Sequence, residues 1–309
     1  MDIQAILIEN TSGELRKTLA ACNHALFSTA REIRIRQGLP LSVRCARGEF
    51  FVSTNGDMLH TGDMAFKPTA SHITGMVEKI CGHSLYAFDT EIKNGFLTME
   101  GGHRVGLSGR VTPDADGIKT FKNISGLTVR IAREVRGAAN AVFKHIYSAD
   151  GKVADTVFIS PPGCGKTTIL RDTVRQLSYA GYNVAVVDER SEIGGCNLGV
   201  ATCDLGPRTD VLDAAPKTAG MVLALRSLAP QVIAVDEIGS AADLEAVELV
   251  ARSGVAVLCT LHGEDVADIQ HLRPNIFKRY VFLTDKPTPG TIAAVRDANF
   301  KRLDDESED

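Results

Sequence analysis

The 309-residue sequence contains no tryptophan, and aromatic side chains make up only 6% of it. Its formal net charge of −4 lacks the basic excess needed to bind along nucleic-acid phosphates, although it leaves room for a local basic patch. No uninterrupted apolar run approaches the ~18 residues of a membrane helix. The opening residues, MDIQAILIENTSGELRK, lack the basic start of a signal peptide. We therefore expect a cytoplasmic protein with no direct membrane insertion and no strong nucleic-acid signal.

The cysteines lack any pairing pattern. Their number, seven, is odd, and no two of them form a C-x-x-C motif. The cysteines are Cys22, Cys45, Cys81, Cys164, Cys196, Cys203 and Cys259. A disulfide framework or a zinc site is therefore not expected, and a reducing compartment fits best. What the chain does contain is 44% hydrophobic residues. Over this length they suffice for the cores of one large domain or two ordinary ones.

The first part of the sequence has the pattern of an antiparallel sheet. Residues 30–136 hold short alternating runs, EIRIR, LSVR, FFVST, FLTME, HRVGLSGRV and LTVRIAR, with turn signals such as STNGD, PDADG and EGG between them. One amphipathic stretch, SHITGMVEKICGHSLYAF, has Ile73, Met76, Val77 and Ile80 at helical spacing. We therefore predict a smaller α+β domain over residues 1–140.

From about residue 150, apolar strands alternate with helices. The predicted strands are TVFIS, NVAVV, VIAVD and VAVLCT, and the predicted helices begin at Lys166 or cover Thr218–Leu228 and Asp243–Ser253. This alternation predicts an α/β domain over residues 141–300 with a mainly parallel sheet and helices on both faces. YVFLTD and TIAAVRD, separated by KPTPG, predict a closing hairpin. Residues 301–309 form an acidic tail that we expect to be disordered.

A phosphate-binding loop is predicted where the first strand of this domain ends, in SPPGCGKTTI. Backbone N–H groups and the start of the following helix would face the phosphates, Lys166 would reach the β- and γ-phosphates, and Thr167 would bind Mg²⁺. A serine replaces the usual first glycine, which is tolerable if the backbone there does not need positive φ. The predicted nucleotide-binding residues are Ser160, Pro161, Pro162, Gly163, Cys164, Gly165, Lys166, Thr167 and Thr168.

Carboxylates follow two other predicted strands. In VIAVDEIG, Asp236 would hold Mg²⁺ through water, and Glu237 would orient or deprotonate the attacking water. In VAVVDERSEIGG, Asp188 and Glu189 would face the same rim, because strand ends lie side by side in a parallel sheet. Glu237 is the favoured base and Glu189 the second candidate. An ion pair with an arginine is the alternative role for Glu189.

A third strand, VLCTLHGED, brings Thr260 and His262 to the same rim. A polar residue there can sense the γ-phosphate by hydrogen bonding, and His262 can donate to it. The alternative is a histidine with a purely structural role.

The order of these motifs resembles that of the type II/type IV secretion ATPases, which are RecA-like, hexameric motors. Glu237 corresponds to their Walker B glutamate, Asp188 and Glu189 to their acidic box, and His262 to their histidine box. ISPPGCGKTTILRD, VVDERSEIGGC and LGPRTDVLDAAPKTAGMVLALRSLAP resemble more closely the sporulation relatives of these motors, the stage III AA family. The sequence departs from the motors at Gly239, where they usually carry an arginine, and it lacks their zinc-binding tetracysteine element.

The resemblance also implies a use for arginines in the first half. In such rings the N-terminal domain lies over its own or a neighbour's nucleotide, and arginines offset phosphate charge. Strand-like segments carry four candidates, of which at least one is expected to act so: Arg104, Arg110, Arg130 and Arg133. Solvent-facing strand residues are the alternative. Arg208 and Arg226 are further candidates, with salt bridging as their alternative.

The sequence and its resemblance together predict a Mg²⁺-dependent ATPase that works as a homo-oligomer, a hexamer by family analogy. It would act with integral membrane channel or secretion proteins at the inner face of the membrane. Two other readings stay open. One is a P-loop ATPase that binds nucleic acid, which stimulation by single-stranded RNA or DNA would favour. The other is a nucleotide-gated scaffold with little turnover.

Overall fold

A computed structural model of the protein describes residues 2–45, 47–84, 88–114, 117–148, 150–196, 199–269 and 276–303. Two compact units make up the chain, Met1–Arg133 and Glu134–Asp309. All seven cysteines are buried and free. Among the described residues, no helix combines the length and apolar character that a membrane crossing requires.

The first unit contains a seven-stranded antiparallel sheet with the strand order β4-β3-β2-β1-β7-β6-β5. This confirms the α+β prediction and its hairpins. The strands are β1 (Ala30–Arg36), β2 (Ser42–Cys45), β3 (Gly48–Val52), β4 (Met58–Leu59), β5 (Phe96–Met99), β6 (His103–Asp114) and β7 (Gly117–Arg130). Alternation puts residues such as Ile33, Val105 and Val129 on a fully buried face, where they join the core of this unit.

Helices cover the apolar face of that sheet. They are α1 (Ile3–Asn10), α2 (Gly13–Ala21), α3 (His24–Thr29), α4 (Ala70–Ile80) and α5 (Asp89–Lys93). In α4 the predicted residues Ile73, Met76, Val77 and Ile80 are all buried. The predicted helical stretch is too long, because the chain turns into left-handed backbone at Gly82 (φ 54°) and His83 (φ 62°). Its residues 85–87 lie outside the described part of the chain.

The second unit contains a seven-stranded sheet with the order β10-β9-β11-β12-β8-β13-β14. Every neighbouring pair is parallel except the last, which forms the predicted closing hairpin. The strands are β8 (Thr156–Ser160), β9 (Val184–Asp188), β10 (Thr209–Asp213), β11 (Val232–Val235), β12 (Ala256–His262), β13 (Arg279–Thr284) and β14 (Thr291–Asp297). The helices are α6 (Asn140–Phe143), α7 (Lys166–Tyr179), α8 (Lys217–Ser227) and α9 (Ala241–Arg252). The predicted α/β arrangement is confirmed.

Helices lie on both faces of this sheet because its strands are apolar on both sides. Val157 and Ile159 of β8 join a core with α8 and α9, whereas Phe158 joins a second core with α7. Sequence analysis did not assign β10, an edge strand whose TDVLD sequence is only partly buried and carries two aspartates. The predicted acidic tail falls mostly on residues 304–309, outside the described part.

The parallel arrangement brings four strand ends to one edge of the sheet. Ser160 at the end of β8 pairs in register with His262 of β12, and Val235 of β11 pairs with both Cys259 and Val187. The residues that follow these strands are therefore neighbours, as the sequence predicts.

Candidate functional site

The loop between β8 and α7 has the geometry that a phosphate-binding loop needs. Gly163 (φ 82°) and Gly165 (φ 89°) adopt left-handed backbone, which glycine reaches without steric cost. Ser160 still belongs to β8 and is not in a left-handed conformation, so replacing the usual glycine adds no backbone strain there. Gly165 caps α7 without a side-chain hydrogen bond, so N–H groups of the first turn remain available to an anion.

Lys166 lies across this loop. Its Nζ donates to the carbonyl oxygens of Ser160 at 2.6 Å and Pro161 at 3.1 Å. Burial lowers the pKa of Lys166, although the nearby carboxylates of Glu237 and Asp236 act in the opposite direction. The ammonium group is therefore bonded within its own loop, and its charge interacts favourably with both predicted carboxylates.

Asp236 connects three elements around this loop. Thr167 Oγ1 of α7 donates to Asp236 Oδ2 at 3.0 Å, and Thr260 Oγ1 of β12 donates to Asp236 Oδ1 at 2.6 Å. A threonine hydroxyl and a carboxylate are oxygen ligands of the kind that Mg²⁺ prefers. The two residues predicted to hold the metal are thus brought together, and their donor set fits a magnesium ion.

Glu237 follows Asp236 with an unusual backbone conformation. Its φ of 25° is positive, which costs a non-glycine residue on the order of 1–3 kcal/mol and persists only where the surroundings enforce it. Its N–H donates to Thr260 Oγ1 at 2.8 Å and Asp236 Oδ1 at 2.9 Å. Its carbonyl oxygen accepts from Lys217 Nζ at 2.7 Å. The side chain is exposed at the rim of the site.

The acidic box divides into one buried and one exposed carboxylate. Asp188, expected at the rim, is only 1% exposed and accepts N–H bonds from Glu192, Ile193 and Gly194. Burial raises the pKa of Asp188 to about 6 against the opposing effect of these N–H groups. Asp188 therefore shapes its own loop. Glu189 Oε2 instead lies 3.3 Å from Lys217 Nζ.

A buried arginine ties the acidic loop to the helix of the phosphate loop. Arg171 of α7 is 8% exposed, and its guanidinium donates to the carbonyl oxygens of Ile193, at 2.7 Å, and Glu192. Sequence analysis missed both Arg171 and Lys217. The signal available for Lys217 was its place in the LGPRTDVLDAAPKTAG segment that carries the family resemblance.

Thr260 and His262, near the end of β12, have different surroundings. The Thr260 hydroxyl is fully buried and bonds to both Asp236 and Glu237, so it holds these two acidic residues in place. His262 is exposed and lies opposite Ser160 in the sheet register. Its proximity contributes to the lowered pKa of Asp268, which arises mainly from N–H bonds of Glu264 and Asp265. A role for His262 at a γ-phosphate stays a prediction.

Within the first unit, two of the four predicted arginines share one face of the sheet. Arg104 pairs directly with Arg130, Arg130 with Glu32, and Glu32 with Arg44. Directly paired residues project to the same side, so these four side chains line the face opposite the apolar core. Arg34 lies on the same face, because it is two residues along β1 from Glu32. Its Nε forms an ion pair with Glu32 Oε1 at 2.5 Å. This face carries more positive than negative charge.

The remaining arginines have different surroundings. Arg133 Nη2 donates to Ala30 O at 2.7 Å, which fastens the end of α3. Arg110 is exposed on the outer part of β6. In the second unit, Arg208 donates to Asn183 Oδ1 at 3.4 Å, and Arg226 lies exposed in the last turn of α8, where a cation is favourable. None of these contacts tests the predicted catalytic roles.

Comparison with known proteins agrees with this geometry. The model of the family described as "Sporulation stage III, protein AA" matches residues 2–303. Over 247 residues, 76% of this chain and 80% of the relative, the sequence is 36% identical to stage III sporulation protein AA of Bacillus subtilis strain 168. The chain belongs to this family.

One further relative matches part of this chain in sequence, and solved structures of other proteins resemble it in fold. SEEDLING PLASTID DEVELOPMENT 1 of Arabidopsis thaliana is 31% identical over 149 residues, 47% of this chain and 21% of that protein. The Legionella pneumophila ATPase DotB superposes with a TM-score of 0.56 and 16% identity over 93% of this chain and 77% of DotB. The pilus retraction motor PilT, in a structure with bound ADP, superposes with a TM-score of 0.51 and 15% identity. This match covers 82% of this chain and 74% of PilT. This member of the sporulation family thus has the RecA-like fold of the secretion ATPases.

Proposed function

We propose that the protein is a Mg²⁺-dependent ATP hydrolase. The observation that carries this proposal is the contact of Thr167 with Asp236, supported by Thr260, which joins the phosphate loop to the Walker B strand. Lys166 would withdraw from the Ser160 and Pro161 carbonyls to meet the β- and γ-phosphates. Thr167 and Asp236 would hold Mg²⁺, which neutralises charge on the phosphates when bound.

Glu237 is the proposed base. Its exposed carboxylate would accept a proton from water while the water oxygen bonds to the γ-phosphorus and the bond to the bridging β,γ-oxygen breaks, giving ADP and phosphate. Glu189 is the weaker candidate, because its carboxylate is already paired with Lys217.

The proposal extends to assembly. We expect a homo-oligomeric ring, a hexamer by analogy with secretion motors, in which Arg104 and Arg130 offset phosphate charge on their own or a neighbouring copy. Arg110, Arg133 and His262 remain weaker candidates. Such a ring would sit at the cytoplasmic face of the membrane and drive an integral membrane channel or secretion complex during sporulation. The family membership and the secretion-motor fold support this role.

The decisive experiment compares steady-state phosphate release by the wild type and Glu237→Gln, with Glu245→Gln on the exposed side of α9 as control. We expect Glu237→Gln to lose at least 100-fold in turnover while binding a non-hydrolysable ATP analogue as tightly as the wild type. The control should keep wild-type turnover. Equally low turnover in wild type and Glu237→Gln, with tight ATP binding, would instead indicate a nucleotide-gated scaffold.

A further inference from the structure

Lys217 lies between the two acidic motifs. Its Nζ is 2.7 Å from the carbonyl oxygen of Glu237 and 3.3 Å from Oε2 of Glu189, and only 17% of its side chain is exposed. It is the first residue of α8, where a positive charge opposes the helix dipole. Local helix energetics therefore do not explain a lysine here, whereas its two contacts do.

The contact with Glu237 completes a set of restraints on a strained residue. Thr260 and Asp236 fix the N–H of Glu237, and Ile238 N donates to the Thr260 carbonyl at 2.9 Å. Of the described residues, Lys217 supplies the hydrogen bond to the carbonyl of Glu237 itself. Both peptide groups next to its Cα are thus held, and this fixes the direction in which the carboxylate leaves the backbone.

Resting on the proposed hydrolysis, we propose that Lys217 is a positioning residue for Glu237, and that Glu189 anchors Lys217 rather than serving as the base. Without the ammonium group, the carbonyl side of Glu237 loses its partner and the backbone relaxes from the left-handed region. The carboxylate then moves relative to the water it must deprotonate. Within the described part of the chain, the hydrogen bond and ion pair of Lys217 go to Glu237 and Glu189 and not to the phosphate loop, so nucleotide binding should be preserved.

The first test measures kcat and the Kd of a non-hydrolysable ATP analogue for Lys217→Met and Lys217→Arg. We expect Lys217→Met to lower kcat by about 10- to 100-fold, because misplacing a reacting group by about 1 Å can cost 100-fold. The Kd should stay within about twofold of wild type, and Lys217→Arg should recover part of kcat because it keeps the charge and donors. Lys152→Met, on an exposed lysine, is the matched control.

The second test is a double-mutant cycle of Lys217→Met with Glu189→Gln. If Glu189 is an anchor, Glu189→Gln lowers kcat less than Lys217→Met does, and it has little further effect when Lys217 is already methionine. If Glu189 is the base, Glu189→Gln abolishes turnover in both backgrounds, and the inference is wrong.

Other outcomes also decide the matter. Wild-type kcat in a folded Lys217→Met protein, verified by thermal unfolding, would overturn the inference. So would a loss of nucleotide affinity as large as the loss of kcat, since Lys217 would then be a phosphate ligand. If Lys217→Met fails to fold, Glu189→Gln alone still discriminates between anchor and base. Turnover that disappears in Glu237→Gln keeps the proposed function intact whichever way Lys217 behaves.

Discussion

Thr260 shows how single residues at this site serve two neighbours at once. Its hydroxyl donates to Asp236 and accepts from the Glu237 N–H, so one buried side chain positions both acidic residues. Such shared bonds are stronger in a low-dielectric surrounding, and removing one partner leaves the others unsatisfied. The two acidic residues are therefore expected to respond together to changes in β12.

At the same scale, Lys166→Ala should separate binding from folding. Lys166 is a half-buried cation that bonds to carbonyl groups of its own loop, so its removal should leave the fold intact. Without the charge-assisted bonds to the phosphates, nucleotide affinity should fall at least about tenfold. Titration with a fluorescent ATP analogue measures the affinity, and thermal unfolding checks the fold. Wild-type affinity would mean that the site lies elsewhere.

The residues of this site differ in how far the sequence alone could predict them. The placement of the glycine-containing loop after β8, and of Asp236 and Glu237 beside it, was predictable, because each depends on a strand end and a few adjacent positions. Lys217 was not, since its contacts with Glu189 and Glu237 arise only when α8 packs beside β9 and β11. Asp188 was expected at the rim but turns inward, because three N–H groups of its own loop compete for it.

At the scale of elements, α8 carries a glycine that helix propensity disfavours. A Cβ on Gly220 would approach Val187 Cγ1 of β9 to 2.4 Å, so the glycine lets helix and strand pack closely. Gly75 in α4 is different, because its added Cβ would meet only Ser12 Oγ at 3.5 Å, an ordinary contact.

The same substitution should therefore have opposite effects in the two helices. Gly220→Ala should lower the free energy of unfolding by about 1–3 kcal/mol through overpacking. Gly75→Ala should raise it by about 0.5–1 kcal/mol, because alanine is the better helix former. Urea unfolding of both variants measures the difference, and a stabilised Gly220→Ala protein would show that α8 can move away from β9.

The elements predicted correctly in the second unit belong to the regular alternation of apolar strands with helices. α8 and α9 and the central strands lie within a few residues of their predicted ranges. β10 escaped prediction because an edge strand with two aspartates has little apolar pattern, and it forms by pairing with β9. The end of α4 depends on left-handed backbone at Gly82 and His83, which helical periodicity does not reveal.

At the scale of the whole molecule, the proposed ring should assemble and share its active sites. We expect mass measurements in solution to show a hexamer at high protein concentration, favoured by a non-hydrolysable ATP analogue. A strict monomer with and without the analogue would contradict the proposal.

Mixing tests whether the arginines act on a neighbouring copy. Glu237→Gln and a variant with both Arg104→Ala and Arg130→Ala should each hydrolyse ATP poorly alone. If the arginines act on a neighbour, a mixed ring contains sites in which the arginine variant supplies Glu237 and the adjacent Glu237→Gln subunit supplies the arginines. The rate of phosphate release should then exceed the sum of the rates of the two separate proteins. If the arginines serve only their own chain, the mixture gives no more than that sum.

The burial of all seven thiols has a practical consequence for following such a ring at work. Thiols enclosed in a protein interior react slowly, so a maleimide dye should attach first to a cysteine added on the surface. One added cysteine on each unit would then accept a donor and acceptor fluorophore without altering the native sequence elsewhere. Energy transfer between the two dyes, measured with and without ATP, would then show whether the distance between the two units changes when nucleotide is added.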